Sequence, residues 1–373
     1  MTPLLQVTSS PSFADYARQL VALIERGEAL TEAQFADLAR ELFALQFAHV
    51  TPYRRLCDAR KVTPATLADW CTIPAVPSAA FKELELTSLA PTERTAVFHS
   101  SGTTGHQPSR HFHSAESLAV YEASLRSSFA RHVVARAGDG KSSARFLCLA
   151  PPPEQAPHSS LVHMFASVSR AFGAPGSGFV ASAGTDNSWA LDAAAALTAL
   201  RDAETSAQPL VLLGTAFMFV HLLDALAQLG LSITLPPGSC AMETGGYKGR
   251  SRELPKAELH AQITARLGLP HAAIVCEYGM SELSSQAYSS LITNHSSLPF
   301  VFPPWCRARV LSPETGREVA EGETGLLRIF DLANVRSVMA LQTEDLAVRR
   351  AEGFELLGRA TQAEARGCSL LAQ

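Results

Sequence analysis

No apolar run in this 373-residue chain approaches the roughly 18–20 residues that a bilayer span requires, and its start, MTPLLQVTSSPSF, carries no basic segment leading into an apolar one. Neither a membrane span nor a secretory leader is therefore expected, and the cytoplasm is the expected location. Paired cysteines are missing too: the seven stand at 57, 71, 148, 240, 276, 306 and 368, odd in number and without a CxxC. That pattern argues against a disulfide framework or a zinc ribbon, and for reduced thiols serving mostly as core filler. Charge of one sign is scarce as well. With 31 Lys+Arg against 35 Asp+Glu the net is −4, so there is no general attraction for nucleic acid or an anionic membrane. No GK[ST] follows the glycine-rich loop, and there is neither GxSxG nor HExxH, which disfavours a P-loop NTPase, a serine hydrolase and a zincin.

What is present is a globular composition, 47% hydrophobic and 18% charged, on a chain long enough for two or three subdomains. Near the N-terminus, SFADYARQLVALIER and TEAQFADLARELFALQFAHV space apolar residues three and four apart behind a capping Ser or Thr, which predicts two amphipathic helices. Pro52, Pro64, Pro74 and Pro77 then predict loops and short helices as far as Phe81, the whole forming a lid or a packing arm. From Arg145, short apolar runs (ARFLCLA, GFVAS, PLVLLGT, AAIVCEYG) alternate with helical patterns (SSLVHMFASVSRAFG, WALDAAAALTALRDA, AFMFVHLLDALAQLG). Such alternation predicts an α/β fold with a mostly parallel sheet. The last seventy or so residues instead offer short strands, WCRARVLSP, ETGREVA, TGLLRIFD, DLAVRR and FELLGR, and predict a small β-rich subdomain. The expected division is 1–90 for a helical arm packing on the core, 91–300 for the α/β core and 301–373 for the β-rich part and tail.

Three segments carry chemistry. FHSSGTTGHQPSR, Phe98 to Arg110, places hydroxyls and two glycines where backbone N–H groups can wrap a phosphate. EYGMSE, Glu277 to Glu282, follows an apolar strand, so its side chains fall at the sheet edge where open α/β folds bind ligands. Tyr278 there suits stacking on a base, and Glu282 suits Mg²⁺. QTEDL, Gln342 to Leu346, offers Asp345 as an acceptor for ribose hydroxyls, and ETGGYK, Glu243 to Lys248, supplies a glycine pair where a flat ring can approach. His111 and His113 alternate along a short strand with no carboxylate or Cys at ligand spacing, so no metal site is expected there.

The order SSGTTG, GG, YGMSE, GETG, TEDL, GR resembles the adenylate-forming superfamily of acyl and aryl CoA ligases, adenylation domains and luciferases, from about Ser100 to the C-terminus. The resemblance implies an adenylate-forming fold of two α/β subdomains plus a small β-rich one. It implies a phosphate loop of Ser100, Ser101, Gly102, Thr103, Thr104 and Gly105, with Thr104 acting in catalysis. Gly245, Gly246, Tyr278 and Gly279 would lie at the adenine, Glu282 would bind Mg²⁺, Asp345 would hold the ribose, and Arg359 would mark the hinge. ATP and Mg²⁺ are the implied cofactors. Two departures stand out: Ser109 and Arg110 replace the Lys that often follows the loop, and Glu344 replaces the Gly of TGDL.

Full-length relatives continue past the hinge with a domain that delivers a catalytic Lys, and this chain ends fourteen residues after Arg359. That length and the tail ARGCSLLAQ resemble the acyl-protein synthetases of the LuxE type, whose acyl-accepting cysteine corresponds to Cys368. A mobile tail would bring Cys368 to the acyl-adenylate by proximity, and Arg366 would favour its thiolate. The implied partners are a carboxylic, expectedly fatty, acid, an acyl donor protein and an acyl reductase subunit. The alternatives are an acyl- or aryl-CoA ligase of the phenylacetate type and a non-catalytic binding subunit of a reductase complex.

Overall fold

The computed structural model describes residues 12–100, 107–137, 144–185, 188–247, 251–293, 296–297 and 299–360. Two amphipathic helices open it, Phe13–Arg26 and Glu32–His49, capped by the hydroxyls of Ser12 and Thr31, which accept from the backbone N–H groups of Asp15 and Gln34. Each such cap contributes about 1 kcal/mol. Their apolar faces join Tyr53, Trp70 and Phe81 in one core with the five-stranded sheet described below. Gln46, fully buried on the second helix, donates to the Asn334 carbonyl at 2.8 Å and accepts from the Met339 N–H at 3.0 Å, so the N-terminal segment is stitched down by polar as well as apolar contacts.

The main sheet has seven strands in the order Ser296–Ser297, Ala287–Thr293, Ile274–Tyr278, Cys240–Thr244, Leu210–Thr215, Arg145–Leu149, Gly178–Phe179. The five from Ile274–Tyr278 to Gly178–Phe179 are parallel, and the other two are antiparallel. Period-two alternation sends Leu147, Leu212 and Ala241 to a core under the helices Ala193–Ser206, Ala216–Gln228 and Lys256–Leu267. It sends Phe146, Cys148, Leu213 and Met242 to a core under Ala115–His132 and Ser160–Phe172. Helices on both faces are what near-continuous apolar strands need.

A second sheet pairs Cys306–Leu311, Thr324–Asp331, Ala340–Arg350 and Gly353–Arg359 antiparallel. Val76–Pro77 adds a fifth strand, parallel to Ala340–Arg350. The sequence reading expected loop at Val76–Pro77; a two-residue edge strand tolerates Pro because its missing N–H faces no partner strand. Two more expectations differ. ETGREVA makes a turn with a single bridge, Leu311 to Glu318, and Trp189–Leu191 forms a hairpin with Ala181–Ala183. The helix expected from Trp189 starts at Ala193 instead, because Asp192 caps it by accepting from the Ala195 N–H at 2.9 Å.

Candidate active site

Parallel register aligns the ends of three central strands: Thr215 pairs with Thr244, and Thr244 with Glu277. The residues that follow therefore emerge on one edge, among them Gly245, Gly246, Tyr278 and Gly279. Gly245 takes φ of 66°, a left-handed conformation that glycine adopts without strain. Among the described residues, no atom beyond the chain neighbours would lie within 4 Å of a Cβ at Gly245 or Gly246, so the backbone there presents an open face to them. At Gly279, by contrast, a Cβ would collide with the Glu277 carboxylate. Glu277 is buried and accepts from the Thr244 hydroxyl, and burial pushes its carboxyl up to about 7.

Beyond Gly279 the chain turns through Ser281 to Gln286, and every one of those residues is buried. Asp331, fully buried at the end of its strand, holds this turn. Its carboxylate accepts from the Ser284 and Ser285 N–H groups at 2.8 Å each, from the Ser285 hydroxyl at 2.7 Å and from the Ala333 N–H at 3.0 Å. Asn334 completes the clamp, donating to the Glu282 carbonyl at 2.9 Å and accepting from the Ser284 hydroxyl at 2.7 Å. Burial raises the Asp331 carboxyl, and the four bonds it accepts work against that rise. The Glu282 side chain is thus 6% exposed, so it is not the solvated glutamate of an ordinary turn. Its Oε2 accepts from the Ser281 hydroxyl at 3.1 Å, and Oε1 has no hydrogen-bond partner among the described residues.

Ser101, Gly102, Thr103, Thr104 and Gly105 lie outside the described residues, as does Cys368. The base of their loop is described. Ser100 and Ser109 close it, the Ser109 N–H donating to the Ser100 hydroxyl at 3.0 Å and the Ser100 N–H to the Ser109 carbonyl at 3.3 Å. The Ser109 hydroxyl stands 3.4 Å from that of Ser281, and His111, two residues further on, places Nδ1 3.0 Å from the Ser281 carbonyl. Loop base and Glu282 turn are therefore in contact. Arg110 turns away, to Glu85 at 3.5 Å. Burial holds His111 down to about 4, so the ring is neutral near pH 7 and its Nδ1 donates to the carbonyl.

On the other side, the Tyr278 hydroxyl donates to Asp345 Oδ2 at 2.7 Å. The Tyr278 ring sits edge-on among Phe300, Phe302 and Phe354 and is 7% exposed, so its visible role is to orient Asp345. Asp345 and Arg359 are cross-strand partners, with Arg359 Nε 3.8 Å from Asp345 Oδ1 and Arg359 Nη1 3.6 Å from Glu344. Desolvation raises the Asp345 carboxyl, while the Tyr278 bond and the Arg359 charge pull it down. Tyr278, Glu282 and Asp345, 67 residues apart at the extremes, thus meet at one sheet edge. Sequence reasoning missed Asp331 and Asn334, for which no local motif speaks.

The fold is that of adenylate-forming enzymes. It is similar to 2-hydroxyisobutyryl-CoA ligase in the postadenylation state with 2-HIB-AMP, with TM-score 0.61 and 15% identity over 90% of this chain and 70% of that one. An open conformation of that ligase, in complex with 2-HIB-AMP and CoA, gives 0.58 and 17% over 90% and 77%. ATP-bound MatB from Rhodopseudomonas palustris gives 0.46 and 19% over 73% and 49%. The chain spans about half the length of MatB and of the ATP-bound RpMatB-BxBclM chimeras it matches. No curated protein matches the chain.

A family model is more specific: the acyl-protein synthetase family LuxE matches residues 25–373. The chain belongs to that family. No helix among the described residues is long and apolar enough to cross a membrane.

Proposed function

We propose that this chain uses ATP to activate a carboxylic acid, expectedly a fatty acid, as an acyl-adenylate and then carries the acyl group on Cys368 for delivery to a partner acyl reductase in the cytoplasm. One observation carries the reading: the base of the glycine-rich loop, Ser100 with Ser109, touches Ser281, so a phosphate wrapped by that loop would lie next to the buried carboxylate of Glu282. Glu282 fits a hard cation, since Oε1 is unpartnered among the described residues while Oε2 is steadied by Ser281. Bound there, Mg²⁺ would neutralise phosphate charge. The open face over Gly245 and Gly246 suits a flat base, and Asp345, oriented by Tyr278, suits the ribose hydroxyls.

The substrate carboxylate attacks the α-phosphorus of ATP and pyrophosphate leaves, with Thr104 and the loop N–H groups holding the developing charge. The Cys368 thiolate then attacks the acyl carbon of the mixed anhydride, AMP leaves, and the thiol proton passes to solvent. Two measurements test this. Thr104→Ala or Gly105→Val should slow acid-dependent pyrophosphate exchange at least tenfold, about 1.4 kcal/mol; unchanged exchange in both refutes ATP use at this loop. Cys368→Ser should keep exchange and lose the hydroxylamine-labile acyl adduct seen by intact-protein mass spectrometry. A wild type that forms acyl-CoA but never an acylated protein would point to a CoA ligase instead.

A further inference from the structure

Behind the strand ends lies a second cluster that the adenylation chemistry does not use. Glu243 and Cys276 are register partners on adjacent parallel strands, and their side chains meet His260 of the helix Lys256–Leu267. The Glu243 oxygen lies 3.3 Å from His260 Nε2, and Cys276 Sγ lies 3.9 Å from the same nitrogen. All three ligand atoms fall within 4.8 Å of one another, and all three residues are buried, at 5%, 1% and 1% exposure. We propose that Glu243, His260 and Cys276 form a binding site for a divalent zinc-class cation, separate from the nucleotide site.

Three arguments support it. Tetrahedral zinc bonded to N and O at about 2.0–2.1 Å and to S at about 2.3 Å sets its ligand atoms about 3.3–3.6 Å apart, which the observed separations approach without rearranging any backbone. The donor set is one carboxylate, one imidazole and one thiolate, which suits zinc rather than Mg²⁺ or Ca²⁺. The scaffold is rigid, since two ligands are locked by sheet register and the third by a helix packed on that sheet. The cation nearest the site, Lys256, one turn before His260, interacts with both Cys276 and Glu243 and stands with its ammonium 5.1 Å from the Phe300 ring centroid; a bound dication would replace it as the partner of those two groups. Loading releases the Cys276 thiol proton to solvent, so Glu243 and the thiolate together balance the dication. A bound ion would tie the helix to the strands that end in Gly245 and Tyr278.

The test uses the full chain purified without a histidine tag. Elemental analysis should find close to one zinc per chain. Protein stripped with chelator and titrated with Co²⁺ should develop the thiolate-to-metal charge-transfer band and tetrahedral d–d bands. Both signals should vanish in Cys276→Ser and fall at least tenfold in His260→Gln, while Cys368→Ser keeps them. Should the ligand variants misfold, the wild type alone decides: folded, reduced protein with less than a tenth of an equivalent of zinc and no cobalt–thiolate band overturns the site. So does a band that survives Cys276→Ser and disappears in Cys368→Ser, because the thiolate would then come from the tail. None of these readouts depends on adenylation, so they stand apart from the reading of the nucleotide site.

Discussion

The two acids of the candidate site are held in opposite ways. Glu282 sits in a buried turn whose backbone is clamped by Asp331 and Asn334, with two bonds at 2.8 Å and more between 2.7 and 3.0 Å. Asp345 has one short bond, from Tyr278, and a looser ion pair with Arg359, whose side chain is 59% exposed. The first arrangement is preorganised: nothing has to be ordered when charge arrives beside it. The second stands on the strand Ala340–Arg350, beside Arg359 at the end of the last described strand, from which the chain continues toward Cys368, and its partners are fewer and wetter. One wall of the candidate site is thus built to stay still, whereas the other is tied down mainly through a single phenol.

The comparison breaks most visibly at Asp331. Asp331→Ala leaves three buried N–H groups and one hydroxyl without an acceptor, so a loss of about 3–5 kcal/mol in unfolding free energy is expected. Chemical denaturation measures it. Where the variant stays folded, pyrophosphate exchange should also need more Mg²⁺, because the Glu282 turn has lost its clamp. A variant as stable as wild type would mean that the turn is held by something other than this carboxylate.

His111 sharpens the same wall from the side of the loop base. Its ring is buried against the Ser281 carbonyl, Phe81 and His113. Burial lowers it to about 4 in the fold, against about 6.5 in the unfolded chain. Below pH 6.5 the unfolded chain therefore binds a proton that the folded one does not. Stability from this group is complete above about 6.5 and is lost as pH falls toward 4, at about 1.36 kcal/mol per unit, roughly 3 kcal/mol in all. His113 is also held well below its usual range by burial and works in the same direction. Denaturation of wild type and His111→Gln between pH 7 and 4 isolates the one ring by difference; parallel curves refute its assignment.

Tyr278, Glu282 and Asp345 could be singled out as candidates because each stands inside a short motif whose order along the chain is informative. The parallel sheet was legible from alternating apolar runs and helical patterns. Asp331 and Asn334 were not, since their meaning depends on packing against a turn about fifty residues earlier, and IFDLAN reads locally as a strand end. The Glu243–His260–Cys276 group escaped for the same reason. Ligand spacing was sought along the sequence, whereas sheet register and one helix face bring these three together. Val76–Pro77 was misread because proline argues locally against a strand, and only the neighbouring edge explains the exception.

The smallest expected effect tests the looser wall. Tyr278→Phe keeps the ring among Phe300, Phe302 and Phe354 and removes only the donor to Asp345, so the fold should lose no more than about 1 kcal/mol. Asp345 then keeps Arg359 as its remaining named partner, at 3.8 Å and largely in solvent, where such a pair is worth a few tenths of a kcal/mol at most. A carboxylate steadied so weakly samples orientations that miss the ribose hydroxyls. The KM for ATP in pyrophosphate exchange should therefore rise several-fold while kcat changes little, the pattern of lost ground-state binding. Arg359→Gln in the same assay should move KM by less than twofold. If Arg359→Gln costs more than Tyr278→Phe, the ranking of the two partners is reversed, and the exposed guanidinium rather than the buried phenol positions the acid.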